Sequence, residues 1–208
     1  MKLSCNTEKD QLIEMLIRQL SNFFIISEKE IDILWKEFDQ VWLRLYKCIK
    51  LVDNKYFIID GIPVINPYHS GQYLIYLYFY SNICSSNNEK QLADKIYYLN
   101  KIMHSCDIYH EVSLPESFFL EHPVGTVLGR AKYGNRFFAM QNCTIGGNKG
   151  HYPIIGNNVR LYSGAKVLGN SIIGDNVTVA ANTYIKDTNI PDNATVFGTS
   201  PHLTIKYL

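Results

Sequence analysis

Aliphatic residues recur at every sixth position in the second half of the chain. An α-helix repeats every 3.6 residues and a flat β-strand repeats every two, so neither produces this period. A six-residue period is typical of a left-handed parallel β-helix, in which three hexapeptides make one triangular coil and the aliphatic residue points into the prism. The aliphatic positions of the series are Ile155, Leu161, Val167, Ile173, Val179 and Ile185.

Small and turn-forming residues fall between the aliphatic positions. Of the 13 glycines, 11 lie after position 120. Glycine and asparagine tolerate the positive φ angles and the tight backbone that the corners of a coil need. We therefore expect the corners to hold these residues, among them Asn157, Asn158, Asn170, Asn176 and Asn182.

The repeat breaks once. Ten residues instead of six separate Ile145 from Ile155, and the segment between them, 146–153, contains three glycines and His151. A loop that leaves a rigid scaffold is a common position for functional side chains. The break therefore predicts a functional loop at this point of the coil.

The first half of the chain has helical patterning instead. Thr7 and Asp10 are expected to cap a first helix, and Ser27 with Glu30 forms a capping-box sequence before an apolar stripe that continues to Leu45. Further helices are predicted over 68–83 and 89–104, with an irregular or short-stranded connection over 51–67. The predicted fold is α+β, with an all-helical domain over 1–105 and a left-handed β-helix over 106–208.

Composition excludes several classes of function. The 20 Lys and Arg residues balance 19 Asp and Glu, so no basic surface predicts nucleic acid as a partner. The longest apolar run, 73–80, is far shorter than the ~20 residues of a membrane-spanning helix, which predicts no stable membrane insertion. Five scattered cysteines without a CxxC pair indicate free thiols and a cytoplasmic protein.

One carboxylate and one histidine have a spacing that suits a coil. Asp107 precedes His122 by fifteen residues, and one coil takes ~18 residues, so the two side chains can be neighbours. A carboxylate that binds one imidazole nitrogen leaves the other nitrogen free to act as a base. Only His122 and His151 are plausible metal ligands here, and a metal site needs three, so we expect no metal.

The residues from Asp107 onward resemble the serine acetyltransferases of the hexapeptide-repeat acyltransferases. The resemblance covers about the last hundred residues at the level of motifs. These motifs are Asp107-Ile108, Glu121-His122, Val127-Leu128-Gly129, Cys143-Thr144-Ile145-Gly146-Gly147, His151-x-Pro153 and the stretch from Ser163 to Asn170. The resemblance implies transfer of an acetyl group from acetyl-CoA to the hydroxyl of serine or a related small acceptor.

The resemblance also implies a role for each matching residue. His122 would be the general base, Asp107 would orient it, and His151 would hold the acceptor or stabilise the oxyanion. Glu121, Lys149 and His69 are the expected acceptor-binding residues. Acetyl-CoA would bind between two subunits of a homotrimer, or of a hexamer formed by two trimers, along Gly146, Gly147, Ser163, Gly164, Ala181 and Lys186.

Some positions depart from the pattern of the family. Glu121 stands where an Asp is usual, and Gly150 stands where an Arg normally binds the substrate carboxylate. The chain ends at Leu208 without the long tail that docks into cysteine synthase, so we do not expect that complex. An acetyltransferase acting on a sugar or nucleotide-sugar hydroxyl or amine is therefore an open alternative, and a non-catalytic β-helix scaffold is another.

Overall fold

The computed structural model describes residues 4–5, 8–52 and 54–207. The chain forms two compact units, residues 1–104 and 105–208. Among the described residues, the first unit contains four α-helices, which are α1 (Lys9–Phe23), α2 (Glu28–Ile49), α3 (Ser70–Ser86) and α4 (Lys90–His104). Thr7, one of the two residues expected to cap the first helix, lies outside the described residues.

Helix α2 begins as its sequence predicts. The Ser27 hydroxyl accepts a hydrogen bond from the Glu30 backbone N–H, and the Glu30 carboxylate accepts one from the Ser27 N–H at 2.8 Å. This capping box satisfies two backbone donors that the first turn leaves without partners. The helix buries one stripe, which includes Leu34, Phe38 and Leu45. The capping box is therefore confirmed.

Helix α3 is buried on nearly all sides, and it begins two residues after the predicted start. His69 is its N-cap, because its Nδ1 accepts a hydrogen bond from the Gln72 N–H at 3.3 Å. The hydroxyl groups of two buried tyrosines find acceptors in other helices: Tyr73 donates to the Gln19 side chain and Tyr80 to the Leu34 carbonyl. The tyrosine-rich segment is thus part of the core of this unit.

The first unit also contains a small sheet, two strands of which lie in the connection over 51–67 that was predicted to be irregular or short-stranded. Its strands are β1 (Ser4–Cys5), β2 (Ile58–Ile59) and β3 (Ile62–Ile65). Strands β2 and β3 form a hairpin in which Asp60 and Gly61 both have positive φ, the geometry of a type I′ turn. Among the described residues, no helix combines the length and the apolarity that crossing a bilayer requires.

The second unit is a parallel β-solenoid of about five turns, as expected of a left-handed β-helix. Its strands lie on three faces. Face 1 holds β4 (Phe118–Leu120), β7 (Phe137–Ala139), β10 (Arg160–Leu161), β13 (Thr178–Val179) and the start of β15 (Ala194–Thr199). Face 2 holds β5 (Val127–Leu128), β8 (Thr144–Gly146), β11 (Lys166–Leu168) and β14 (Tyr184–Lys186). Face 3 holds β6 (Lys132–Tyr133), β9 (Ile154–Ile155) and β12 (Ile172–Ile173).

The strand register confirms the period of six. Ile155 pairs with Ile173, Leu161 with Val179 and Val167 with Ile185, so each coil takes eighteen residues. All six side chains are at most 2% exposed and fill the interior of the prism. A final strand, β16 (His202–Tyr207), pairs with β15 in the antiparallel direction.

Asparagine and aspartate side chains connect the coils where face 3 turns into face 1. The Asn158 amide donates to Asn176 at 3.0 Å, and the Asn176 amide donates to Asn193 at 2.9 Å. All three residues have a φ of 54–58°, which asparagine tolerates better than most residues. The corner prediction is confirmed at Asn158 and Asn176.

Candidate active site

The first corner, where face 1 turns into face 2, is two residues longer in one coil than in the next. Leu120 pairs with Ala139 before the corner, and Leu128 pairs with Ile145 after it. The number of residues between paired positions therefore falls from nineteen to seventeen, which means that the earlier coil uses two more residues to turn this corner. The extra residues lie in segment 121–124, which includes His122. The φ of His122 is 48°, and its carbonyl accepts a hydrogen bond from the Val124 N–H at 2.7 Å. This bulge leaves His122 exposed at the edge of the prism.

Asp107 lies at the start of face 2, directly after the same corner. It pairs with Val127, and its backbone is held by hydrogen bonds to the Thr126 carbonyl and from the Leu128 N–H, both 2.9 Å long. Its neighbours Cys106 and Ile108 are 3% exposed and point inward, so the Asp107 side chain points outward. The carboxylate is half-buried on a rigid strand position.

The fold therefore brings Asp107 and His122 to the same corner. Across the described residues, the two side chains make no direct hydrogen bond. Glu121 precedes His122 in the bulge, where its N–H donates to the Ala139 carbonyl and its side chain is half-buried. An exposed imidazole with two carboxylates on adjacent chain segments can take a proton from an alcohol that binds beside it.

The second corner, where face 2 turns into face 3, carries the interruption of the repeat. Tyr133 pairs with Ile155 across twenty-two residues, four more than in the next coil, so the predicted insertion is confirmed. The insertion is a tight hairpin in which the backbones of Asn148 and His151 exchange hydrogen bonds of 2.9 and 3.0 Å. Lys149 and Gly150 form the turn, with φ angles of 50° and 82°.

Two contacts hold this hairpin against the coil. The Asn148 amide donates to the Asp187 carboxylate at 3.2 Å. On the other side, the Arg130 guanidinium lies over the Tyr152 ring at 5.4 Å and donates to its hydroxyl at 3.3 Å. The sequence analysis did not identify Arg130 or Tyr152. The strand pairing across face 2 has an offset of seventeen residues, which places Arg130 one coil before Gly147.

The predicted acceptor-binding residues do not all lie in one place. Lys149 and His151 are both exposed on the hairpin of the second corner, whereas Glu121 lies at the first corner. His69 belongs to the other compact unit, where it caps α3 and its ring lies 5.4 Å from the ring of Phe57. A role of His69 in acceptor binding stays a prediction.

The six residues predicted to contact acetyl-CoA lie at the two ends of face 2. Gly146 and Lys186 both pair with Leu168, so they belong to one row beside the second corner. At the first corner, the Asn182 N–H donates to the Ser163 carbonyl at 2.9 Å, which stacks Ser163 and Gly164 on Ala181 and Asn182. Gly164 has a φ of 73°, and a Cβ there would overlap the Asn182 side-chain oxygen.

Neither cysteine near these corners has the character of a nucleophile. Burial raises the pKa of Cys106 to about 12, and it also raises the pKa of Cys143. Both thiols therefore stay protonated at neutral pH and are weak nucleophiles. Within the described residues, no group of three His, Cys, Asp or Glu side chains could hold a metal ion.

Comparisons with known proteins agree with this architecture. Residues 152–187 match the family model described as bacterial transferase hexapeptide (six repeats). A serine acetyltransferase of Staphylococcus xylosus is 28% identical over 147 residues, which cover 68% of this chain and 67% of that protein.

Solved structures show the same fold. The crystal structure of a serine acetyltransferase from Brucella abortus strain S19 has a TM-score of 0.67 and 24% identity, covering 84% of this chain and 75% of that one. A serine acetyltransferase solved in complex with CoA has a TM-score of 0.70 and 20% identity, covering 86% of this chain and 75% of that one.

Proposed function

Because this chain is a hexapeptide-repeat acyltransferase and resembles serine acetyltransferases, we propose that it moves the acetyl group of acetyl-CoA to the hydroxyl of serine. The observation that carries the proposal is the first corner, where an inserted bulge exposes His122 beside the strand position of Asp107. The relatives named serine acetyltransferase and the related structure with CoA support the choice of both substrates.

The proposed chemistry uses His122 as the general base. Its imidazole takes the hydroxyl proton of serine while the hydroxyl oxygen attacks the thioester carbonyl, and a tetrahedral intermediate forms. The C–S bond then breaks, and the thiolate of CoA takes the proton back from the imidazolium. Asp107 would orient the imidazole and stabilise its charged form. General-base catalysis of this kind contributes about 10²- to 10⁴-fold to the rate.

The separation of the two corners supports an oligomeric active site. His122 lies at one end of face 2 and His151 at the other, and an extended chain of about five residues between them spans about 16 Å. One serine molecule is too short to contact both histidines of the same chain. We infer that His151 of one subunit faces His122 of another, as in a homotrimer, whose helical units could pair two trimers into a hexamer.

Acetyl-CoA would lie along the edge of face 2, where the backbone is accessible. Gly146 and Gly147 lack side chains at the second corner, and Ser163, Gly164 and Ala181 offer small residues at the first. Lys186, half-buried in the row of Gly146, could bind a phosphate of the nucleotide. The thiols of Cys48, Cys84, Cys106 and Cys143 are buried and form no disulfide, which supports a cytoplasmic location.

The experiment that tests the proposal measures thiol release from acetyl-CoA. The purified chain is incubated with acetyl-CoA and L-serine, with acetyl-CoA alone, and with acetyl-CoA and a panel of nucleotide sugars. We expect rapid release with serine only. Thiol release with a sugar but not with serine would show that the acceptor is the sugar and not serine. Binding of acetyl-CoA without any acceptor-dependent thiol release would contradict the proposed transfer.

A further inference from the structure

The acceptor proposed above carries more than a hydroxyl group. Free serine also has a carboxylate, and a binding site recognises a carboxylate best with a cation that donates two parallel hydrogen bonds. Beside His151, the second corner offers two exposed cations, Arg130 and Lys149, while Lys186 lies further along the same edge. The geometry separates these three candidates.

Arg130 is the cation that the structure holds in place. Its guanidinium lies over the face of the Tyr152 ring at 5.4 Å, and it donates to the Tyr152 hydroxyl at 3.3 Å. Within the described part of the chain, no carboxylate forms an ion pair with it. A guanidinium stacked on a ring loses little side-chain entropy when it binds an anion, and its remaining N–H groups match the two oxygens of a carboxylate.

Gly147 allows Tyr152 to take this position. A Cβ on Gly147 would lie 2.7 and 2.9 Å from two carbons of the Tyr152 ring, so any other residue would displace the ring. Pro153 follows directly and is buried, which fixes the chain on the other side of Tyr152. The hairpin, the ring and the guanidinium therefore form one ordered unit, and His151 is the residue next to the ring.

The other two cations are less suited to the carboxylate. Lys149 occupies the tip of the hairpin, where its side chain is exposed and forms no hydrogen bond or ion pair with another described group. Gly129, the residue before Arg130, lies on the same row of face 2 as Lys186 but three strands away. Three spacings between parallel strands amount to about 14 Å. A lysine is also a point charge and does not provide the two-pronged geometry of arginine.

We propose that Arg130, positioned by Tyr152, binds the carboxylate of the acceptor and thereby restricts the acceptor to small hydroxy compounds that carry a carboxylate. The proposal rests on the proposed function, because it concerns recognition at the same site. In the oligomer, Arg130 would act on an acceptor whose hydroxyl faces His122 of the neighbouring subunit. In this assignment the carboxylate ligand is Arg130 and not Lys149, which is one of the acceptor-binding residues expected from the resemblance.

The test compares two acceptors in three proteins. L-serinamide keeps the hydroxyl and ammonium groups of L-serine but has a neutral amide in place of the carboxylate. We expect Arg130→Ala to lower kcat/KM for L-serine by about ten- to a hundredfold, the usual value of a hydrogen bond to a charged group, and to change kcat/KM for L-serinamide less than about twofold. Arg160→Ala is the matched control, because the Arg160 guanidinium also lies over an aromatic ring, that of Phe138 at 5.5 Å, but on face 1, and this variant should keep the preference of the wild type.

The outcomes separate the two proposals. If the wild type releases no thiol with L-serine, the proposed function fails and the assignment of Arg130 fails with it. If the wild type is active but Arg130→Ala keeps its preference for serine over serinamide, only the assignment is overturned. An equal loss with both acceptors would likewise overturn it, because that loss would indicate a structural role.

A second variant tests the positioning role of Tyr152. Tyr152→Phe removes the hydroxyl that accepts from Arg130 and keeps the ring on which the guanidinium lies. We expect a rise of a few-fold in KM for L-serine with an unchanged kcat, and no change in KM for L-serinamide. A fall in kcat with an unchanged KM for L-serine would contradict the positioning role.

Discussion

The adjacent glycines of the second corner have different structural roles, and this difference can be measured. A Cβ added to Gly147 would lie 2.7 Å from a carbon of the Tyr152 ring, whereas carbon atoms in contact prefer about 3.5–4.0 Å. The ring in Gly147→Ala must therefore move by about 1 Å. The hydrogen bond from Arg130 to the Tyr152 hydroxyl is already 3.3 Å long, so a movement of the ring away from the guanidinium takes it beyond hydrogen-bonding distance.

The expected effect follows from that displacement. A misplacement of about 1 Å at a site that positions substrate can reduce activity up to about a hundredfold, so we expect kcat/KM for L-serine to fall by about ten- to a hundredfold. Overpacking costs about 1–3 kcal/mol of folding stability, and a half-exposed ring that can move places this variant near the lower limit. The assay is thiol release with L-serine and with L-serinamide, beside a thermal unfolding curve.

Gly146→Ala is the matched control. The nearest atom to a Cβ on Gly146 is a methyl carbon of Leu168 at 3.7 Å, which is an ordinary contact. Whatever this change does to the KM for acetyl-CoA, it should preserve the preference for serine over serinamide. The reasoning is refuted if Gly147→Ala keeps the preference of the wild type, or if both variants lose it equally.

Two further predictions concern stability. Leu161→Ala removes a side chain that is 0% exposed inside the prism and should lower the free energy of unfolding by about 2–5 kcal/mol. Ile172→Ala, at a position that is 44% exposed, should lower it far less. Urea unfolding measures both free energies, and equal losses would contradict the inward orientation of Leu161. Burial lowers the pKa of His104, whose Nδ1–H donates to Asn100, so the unfolded chain binds this proton more readily. The stability that His104 contributes should be present above about pH 6.5 and lost as the pH falls toward the folded-state pKa, and His104→Gln should reduce this loss in urea unfolding at about pH 5 and 7.5.

The coil could be predicted from the sequence because its physical cause is local. Each aliphatic lead residue fills one position in the prism, so the requirement repeats every six residues and is visible in the chain itself. The same counting located the four extra residues before Ile155. It did not locate the bulge at His122, because the positions of the series before Ile145 hold Ala139 and Tyr133, and two additional corner residues shift the register without a marker.

The contacts around the hairpin could not be predicted in the same way. Arg130 and Tyr152 are twenty-two residues apart, and their contact depends on which side of the second corner the hairpin folds toward. The sequence does record one condition for that contact, the glycine at position 147, but a glycine there equally suits close approach of a cofactor. The start of α3 was missed for a related reason, because histidine is not among the common N-cap residues and His69 takes this role here.

The most direct test of the proposed catalytic role compares two histidine variants. His122 lies in the bulge of the first corner, and His202 is an exposed histidine on β16 that has no role in the proposed site. With saturating acetyl-CoA and L-serine, we expect His122→Ala to lower kcat by about 10²- to 10⁴-fold and His202→Ala to leave it unchanged, with both KM values of His122→Ala within a few-fold of the wild type. Turnover by His122→Ala within a few-fold of the wild type would contradict its role as the general base.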